Sequence, residues 1–225
     1  MGKQTIKAAI FDVDGTLLDS MYVWEHVGEQ YLLAKGVTPQ PDMEERVRTM
    51  SMKQIARYCQ TEYGIQDSAQ EIMDEINGIV AERYRTEVVA KKGAKELLAV
   101  LHQNGVKIAI ATASDRCILE QALKRNGLLE NCDLFLTCTE VGAGKDQPLI
   151  FQEACKRLQV LPSETVVFED SLYAMQTASS AGCRICAISD SSAEGEKEQI
   201  QRLAEWYVNT PEEWMNGYFV EKICS

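Results

Sequence analysis

Only two of the 225 residues are histidine, His26 and His102, so no histidine-rich metal site can be assembled from this chain. No apolar stretch approaches the roughly 18 residues that a bilayer-spanning helix requires. Basic residues are also scarce. Lys plus Arg number 23 against 34 Asp plus Glu, a net charge of −11, which argues against general affinity for nucleic acid or anionic membranes. Such a protein can still bind phosphate through local donors and a metal. Met1 to Thr5 lead into the first apolar run without a signal-like region, and Ile6 stands where the myristoylation pattern wants Ser or Thr. The expected location is the cytoplasm, as a monomer or small homo-oligomer. There is no internal repeat or low-complexity segment.

Cysteine, by contrast, is plentiful at eight residues, but these are spread over the whole chain and no secretory signal accompanies them. That pattern favours reduced, buried thiols over a disulfide framework. Cys183-Arg184-Ile185-Cys186 has CxxC spacing, yet it opens an apolar run in which both sulfurs are expected to fill core positions of a strand.

The most informative segment is Phe11-Asp12-Val13-Asp14-Gly15-Thr16-Leu17-Leu18-Asp19-Ser20. It follows the short apolar run Ile6 to Phe11, which reads as a buried strand ending in two acids. Alternation along an extended chain puts Asp12 and Asp14 on one side, while Gly15 permits a sharp turn. The placement suggests a nucleophile and a proton shuttle; Asp-Gly is equally a common turn pair.

After residue 90 the pattern alternates helices with short apolar runs, as in a parallel sheet flanked by helices. Strands are expected at 106–111, 133–137, 165–168, 184–188 and 206–208. Helices are expected at 94–104, 115–126, 148–158, 172–181 and 196–204, with a further short helix in 211–225. Residues 20–88 carry only helical periodicities, such as Val23, Val27, Tyr31 and Ile72, Ile76, Ile79, Val80. The predicted fold is therefore α/β: a doubly wound, Rossmann-like parallel sheet core, residues 1–19 and 89–225, with an inserted helical cap, residues 20–88. Such an insert can act as a lid.

Four polar clusters fall at predicted strand ends, the rim where ligands bind in open α/β sheets. Asp12 and Asp14 form the first. Thr112-Ala113-Ser114 is the second, able to hold phosphate oxygens at a helix start or, with Asp115, to serve only as a cap. The third, Gly142-Ala143-Gly144-Lys145, is not a nucleotide P-loop, because Thr139 replaces the first Gly and Asp146 the Ser or Thr. Lys145 is either a cation offsetting a phosphoryl charge or a solvated surface lysine. The fourth is Glu169-Asp170-Ser171, ligands for a hard cation or a helix cap. Asp12, Asp14 and Asp170 together call for a divalent cation such as Mg²⁺.

In order, Asp-x-Asp-Gly-Thr at Asp12, Thr112 after a strand, Lys145 before Pro148, and Glu169-Asp170 after a strand resemble the four motifs of the haloacid dehalogenase-like superfamily. The insert resembles that family's first-type cap. The resemblance implies Asp12 as the nucleophile forming an aspartyl-phosphate and Asp14 as acid and base. It implies Thr112, Ala113 and Lys145 as phosphate-binding residues. Mg²⁺ would be held by Asp12, the Asp14 carbonyl and Asp170, with Glu169 as a ligand or close neighbour.

The subclass is less uniform. Related β-phosphoglucomutases carry a histidine where Trp24 stands here, and an arginine in a segment corresponding to Thr49-Met50-Ser51-Met52. Leu149 follows Pro148 where the family usually has Asp, and Asp146 follows Lys145 where it has Pro. Trp24 and Met52 are candidate substrate contacts, or plain core. The expected function is Mg²⁺-dependent hydrolysis of small phosphorylated metabolites, sugar phosphates or nucleotide-like esters. A phosphosugar mutase and a non-catalytic binding protein on the same fold are the alternatives.

Overall fold

A computed structural model describes residues 5–47, 50 and 52–223. The chain divides into two compact units, residues 1–19 with 89–225, and residues 20–88.

The first unit is built on a six-stranded sheet of β1 (Ala8–Phe11), β4 (Lys107–Thr112), β5 (Leu134–Thr137), β6 (Thr165–Glu169), β7 (Arg184–Ile188) and β8 (Trp206–Val208). The spatial order is β5-β4-β1-β6-β7-β8, with every pairing parallel. Parallel neighbours need crossover connections, and the helices Ala94–Gln103, Arg116–Arg125, Leu149–Leu158 and Leu172–Ser180 are elements of those connections. With helices on both faces, β1 and β6 are buried at every position, which explains their near-continuous apolar runs. One side of the sheet places Ile10, Ala109, Ala111 and Val167 against Ile150, Phe151, Ala154 and Met175.

The first strand is shorter than its apolar run. It begins at Ala8 where the run begins at Ile6, and β4 and β5 each begin one residue later than expected, at Lys107 and Leu134. Ends of this kind are set by ladder hydrogen bonds that hydrophobicity does not report. Cys183 lies just before β7 and Cys186 within it, both buried, and burial pushes the Cys186 thiol well up.

A two-stranded ribbon has no periodic signal in the sequence, whereas the C-terminal helix is expected within 211–225. Leu18–Asp19 (β2) and Val89–Ala90 (β3) form an antiparallel ribbon, extended by a Lys91 N–H bond to the Leu17 carbonyl at 2.9 Å. The helix Pro211–Ile223 is anchored by Trp214, which is fully buried and meets Phe168 edge-on at 5.1 Å and Trp206 at 5.9 Å. Phe168 in turn stacks on Phe11 at 4.3 Å.

The second unit is helical: Met21–Trp24, Val27–Ala34, Met43–Val47, Met52–Tyr63 and Ala69–Thr86. The last helix starts in a capping box, Ser68 Oγ accepting from Glu71 N–H and Glu71 accepting from Ser68 N–H. It buries Ile72, Ile76, Val80 and Tyr84, a stripe at four-residue spacing, while Ile79 is half-buried beside it. Thr49 and Ser51 lie outside the described residues. Among the described residues no helix is long and apolar enough to cross a membrane.

Candidate active site

The two centre strands of the sheet's carboxyl edge determine where the acids stand. Phe11 pairs with Ile110 of β4 on one side and Phe168 of β6 on the other, so the residue after each strand emerges at the same rim. Asp12 N–H donates to the Phe168 carbonyl at 3.0 Å, continuing the ladder by one step. The chain then folds back: Gly15 has φ 75°, and the Val13 carbonyl accepts from Leu17 N–H at 3.0 Å and Leu18 N–H at 2.8 Å. A positive φ is inexpensive for glycine, which explains Gly after the second acid.

Lys145 comes to this rim from the loop between the helices Cys138–Val141 and Leu149–Leu158. It is buried, not a solvated surface lysine. Its ammonium donates to Asp12 Oδ1 and, at 2.7 Å, to Glu169 Oε2. Asp170 is buried beside them and accepts from Thr16 Oγ1 at 3.4 Å. Ser171 donates through N–H and Oγ to Glu169 Oε1, at 3.3 and 3.0 Å.

Thr112, at the end of β4, is fully buried, and its Oγ1 accepts from Ser114 N–H at 3.1 Å. Ala113 is exposed between them. Ser114 Oγ donates to Asp14 Oδ2 at 2.6 Å, and Asp14 itself is half-buried. Simple capping does not account for these side chains. Asp115 is the N-cap of Arg116–Arg125 without a side-chain cap bond, and instead accepts from Thr139 Oγ1 at 2.7 Å. Ser171 is likewise an N-cap residue whose hydroxyl is turned to Glu169.

Three buried carboxyl groups crowd around one ammonium. Burial, then the Glu169 and Asp14 charges, push Asp12 up to about 8 against the pull of Lys145. Burial, then Glu169 and Asp12, raise Asp170 well above the usual carboxylate range. Burial alone would lower Lys145, but Asp12 and Glu169 override it and hold the ammonium above its ordinary value. Oxygens of Asp12, Glu169 and Asp170 lie within 4.8 Å of one another, a buried all-oxygen donor set that suits a hard divalent cation. The residues present therefore fit Mg²⁺.

Ser114 and Thr16 join the site through bonds that spacing did not indicate. Ser114 stands two residues beyond Thr112, and the signal that could have found it is a second hydroxyl at the same helix start. Trp24 and Met52 lie in the helical unit, both half-buried, where the Trp24 indole N–H donates to Tyr84 O–H at 3.1 Å.

The chain is 31% identical over 176 residues to validoxylamine A 7'-phosphate phosphatase of Streptomyces hygroscopicus subsp. limoneus, covering 78% of this chain and 82% of that protein. A Thermotoga maritima structure described as a β-phosphoglucomutase superposes with a TM-score of 0.81 at 25% identity, covering 94% of this chain and 97% of that one. CbbY from Rhodobacter sphaeroides, in complex with xylulose-1,5-bisphosphate, gives 0.73 at 25% identity, covering 92% and 96%. The family model for haloacid dehalogenase-like hydrolases matches residues 9–188, and the chain belongs to that family.

Proposed function

We propose that this hydrolase is a Mg²⁺-dependent phosphatase of small phosphate monoesters, sugar phosphates or nucleotide-like compounds, acting through an aspartyl-phosphate on Asp12. The observation that carries the reading is the buried constellation of Asp12, Lys145, Glu169 and Asp170, with Asp14 two residues beyond the nucleophile. The relative named for validoxylamine A 7'-phosphate, and the CbbY structure in complex with xylulose-1,5-bisphosphate, support a small phosphorylated substrate.

A carboxylate approaching a phosphate dianion meets charge repulsion, and Lys145 reduces it from a position already paired to Asp12. In the first step an Asp12 oxygen bonds to phosphorus, the ester P–O bond breaks, and Asp14 gives its proton to the departing alkoxide. In the second step the Asp14 carboxylate takes a proton from a water as that water attacks phosphorus. The bond to Asp12 breaks, and inorganic phosphate and both carboxyl groups are returned. The Thr112 hydroxyl accepts from Ser114 N–H, which directs its own proton elsewhere; we assign that proton, with the Ala113 backbone, to phosphoryl oxygens. Mg²⁺ bound by Asp12, Asp170 and the Asp14 carbonyl, with Glu169 beside it, would neutralise charge on the phosphoryl group.

Residues 20–88 are read as the cap, with Trp24 and Met52 in substrate selection. The support is connectivity: the chain enters this unit directly from β2 and leaves it into β3, the ribbon that follows the acidic turn.

The test is phosphate release from a panel of sugar phosphates, nucleotides and p-nitrophenyl phosphate, with Mg²⁺ or EDTA, for wild type and Asp12→Asn. Metal-dependent release, lost in Asp12→Asn, is expected. Release that survives the substitution overturns the reading, as does conversion of a hexose 1-phosphate to the 6-phosphate without release.

A further inference from the structure

The Ser114–Asp14 hydrogen bond joins residues 100 positions apart in the chain, at 2.6 Å, within the usual range for a hydroxyl bonded to a carboxylate. The same serine donates its N–H to Thr112 Oγ1 at 3.1 Å. One residue thus ties the proposed proton donor to a residue proposed to hold the phosphoryl group. Its hydroxyl proton is committed to Asp14, while Asp115 and not Ser114 is the N-cap of Arg116–Arg125.

The bond acts on the acid whose orientation decides proton transfer. Asp12 is buried and held by Lys145, whereas Asp14 sits half-buried on the turn formed around Gly15. A carboxyl that rotates freely about its side chain spends much of its time unable to reach the leaving oxygen. Misplacement by about 1 Å can cost about a hundredfold in rate. We infer that Ser114 is a positioning residue for proton transfer: by donating to Asp14 Oδ2 it holds the carboxyl in the orientation from which the leaving-group oxygen is protonated. This inference rests on the proposed phosphatase chemistry.

The proton matters only for a poor leaving group. An alkoxide departing from a sugar phosphate must be protonated, whereas p-nitrophenolate leaves without help. The experiment compares kcat/KM, which reports steps up to phosphorylation of the enzyme, for wild type, Ser114→Ala, Ser114→Thr and Asp14→Asn. The substrates are p-nitrophenyl phosphate and the sugar phosphate that wild type hydrolyses best. Ser114→Ala is expected to lose about 10- to 100-fold on the sugar phosphate and less than about threefold on the aryl ester. Asp14→Asn is expected to show the same selectivity more strongly, and Ser114→Thr, which returns a hydroxyl, to recover most of the sugar phosphate activity.

Equal losses on both substrates would assign Ser114 a merely structural role and overturn the inference. No loss on either, or a Ser114→Thr variant that behaves as Ser114→Ala, would do the same. Asp12→Asn run alongside separates the two levels: activity retained there removes the phosphatase mechanism itself, whereas an inactive Asp12→Asn with an unselective Ser114→Ala removes only the role of Ser114.

Discussion

Lys145 and Asp12 form an ion pair nearly sealed from solvent, with 3% and 7% of their surfaces exposed. In that setting a charge without its partner is far costlier than the pair is stabilising. Lys145→Met would leave Asp12 and Glu169 facing each other without a cation. The variant is expected to lose about 3–5 kcal/mol of stability in EDTA, measured by urea unfolding, together with its phosphatase activity. Stability equal to wild type would mean that the pair is not formed in solution.

Metal and pH should act on the same cluster. Asp12 is raised in the folded chain to about 8, above the ~3.9 of an unfolded aspartate. Its contribution to stability is therefore fully present below the unfolded value and is lost as pH rises through the folded one. In EDTA, Asp12→Asn should be more stable than wild type, with the gap widening as pH rises from about 5 toward 8. Lys145 keeps Glu169 as a partner in that variant. Added Mg²⁺ should close the gap by stabilising wild type selectively. Melting temperatures across this pH range, with and without the metal, check it; a gap that narrows toward pH 8 in EDTA would contradict the cluster's electrostatics.

The C-terminal helix is held to the sheet through Trp214, whose ring meets both Phe168 and Trp206. Trp214→Ala removes a fully buried aromatic from this contact and should cost about 3–5 kcal/mol. Because Phe168 immediately precedes Glu169 and stacks on Phe11, next to Asp12, the variant should also lose activity before it unfolds globally. Activity and intrinsic fluorescence followed along one urea titration would show the two transitions separating.

Trp24 gives a milder test in the helical unit. Trp24→Phe removes the hydrogen bond to Tyr84 O–H and keeps an aromatic ring, so stability should fall by about 1 kcal/mol. With Trp24 in substrate selection, KM for the preferred substrate should rise while kcat is retained. Unchanged KM across the substrate panel would make Trp24 a packing residue alone.

The sheet was legible because β1, β4, β6 and β7 are short apolar runs, each followed by punctuation, and because parallel strands bury both faces. The strand-end positions of Asp12, Thr112 and Asp170 followed from those runs. Three things did not follow. The ribbon of β2 and β3 has two residues on each side, too few to show a period. Burial of Lys145 depends on two acids from different strands, and a lone lysine in a Gly-rich loop carries no sign of them. The bond between Ser114 and Asp14 is likewise long-range, and locally Ser114 looks only like a residue at the start of a helix. Trp214 shows the same limit in the core, since one tryptophan in a weakly amphipathic tail does not reveal that it completes an aromatic cluster with Phe11, Phe168 and Trp206.

The most direct measurement is the chemical trapping of Asp12 during turnover. Wild type mixed with excess substrate and Mg²⁺, quenched in acid within one turnover, would be reduced with borohydride and mapped by peptide mass spectrometry. The expected result is conversion of Asp12 to homoserine, the signature of an acyl phosphate, absent without substrate and absent in Asp12→Asn. Rapid phosphate release with Asp12 unmodified, or an adduct on another residue, would contradict an aspartyl-phosphate at this position.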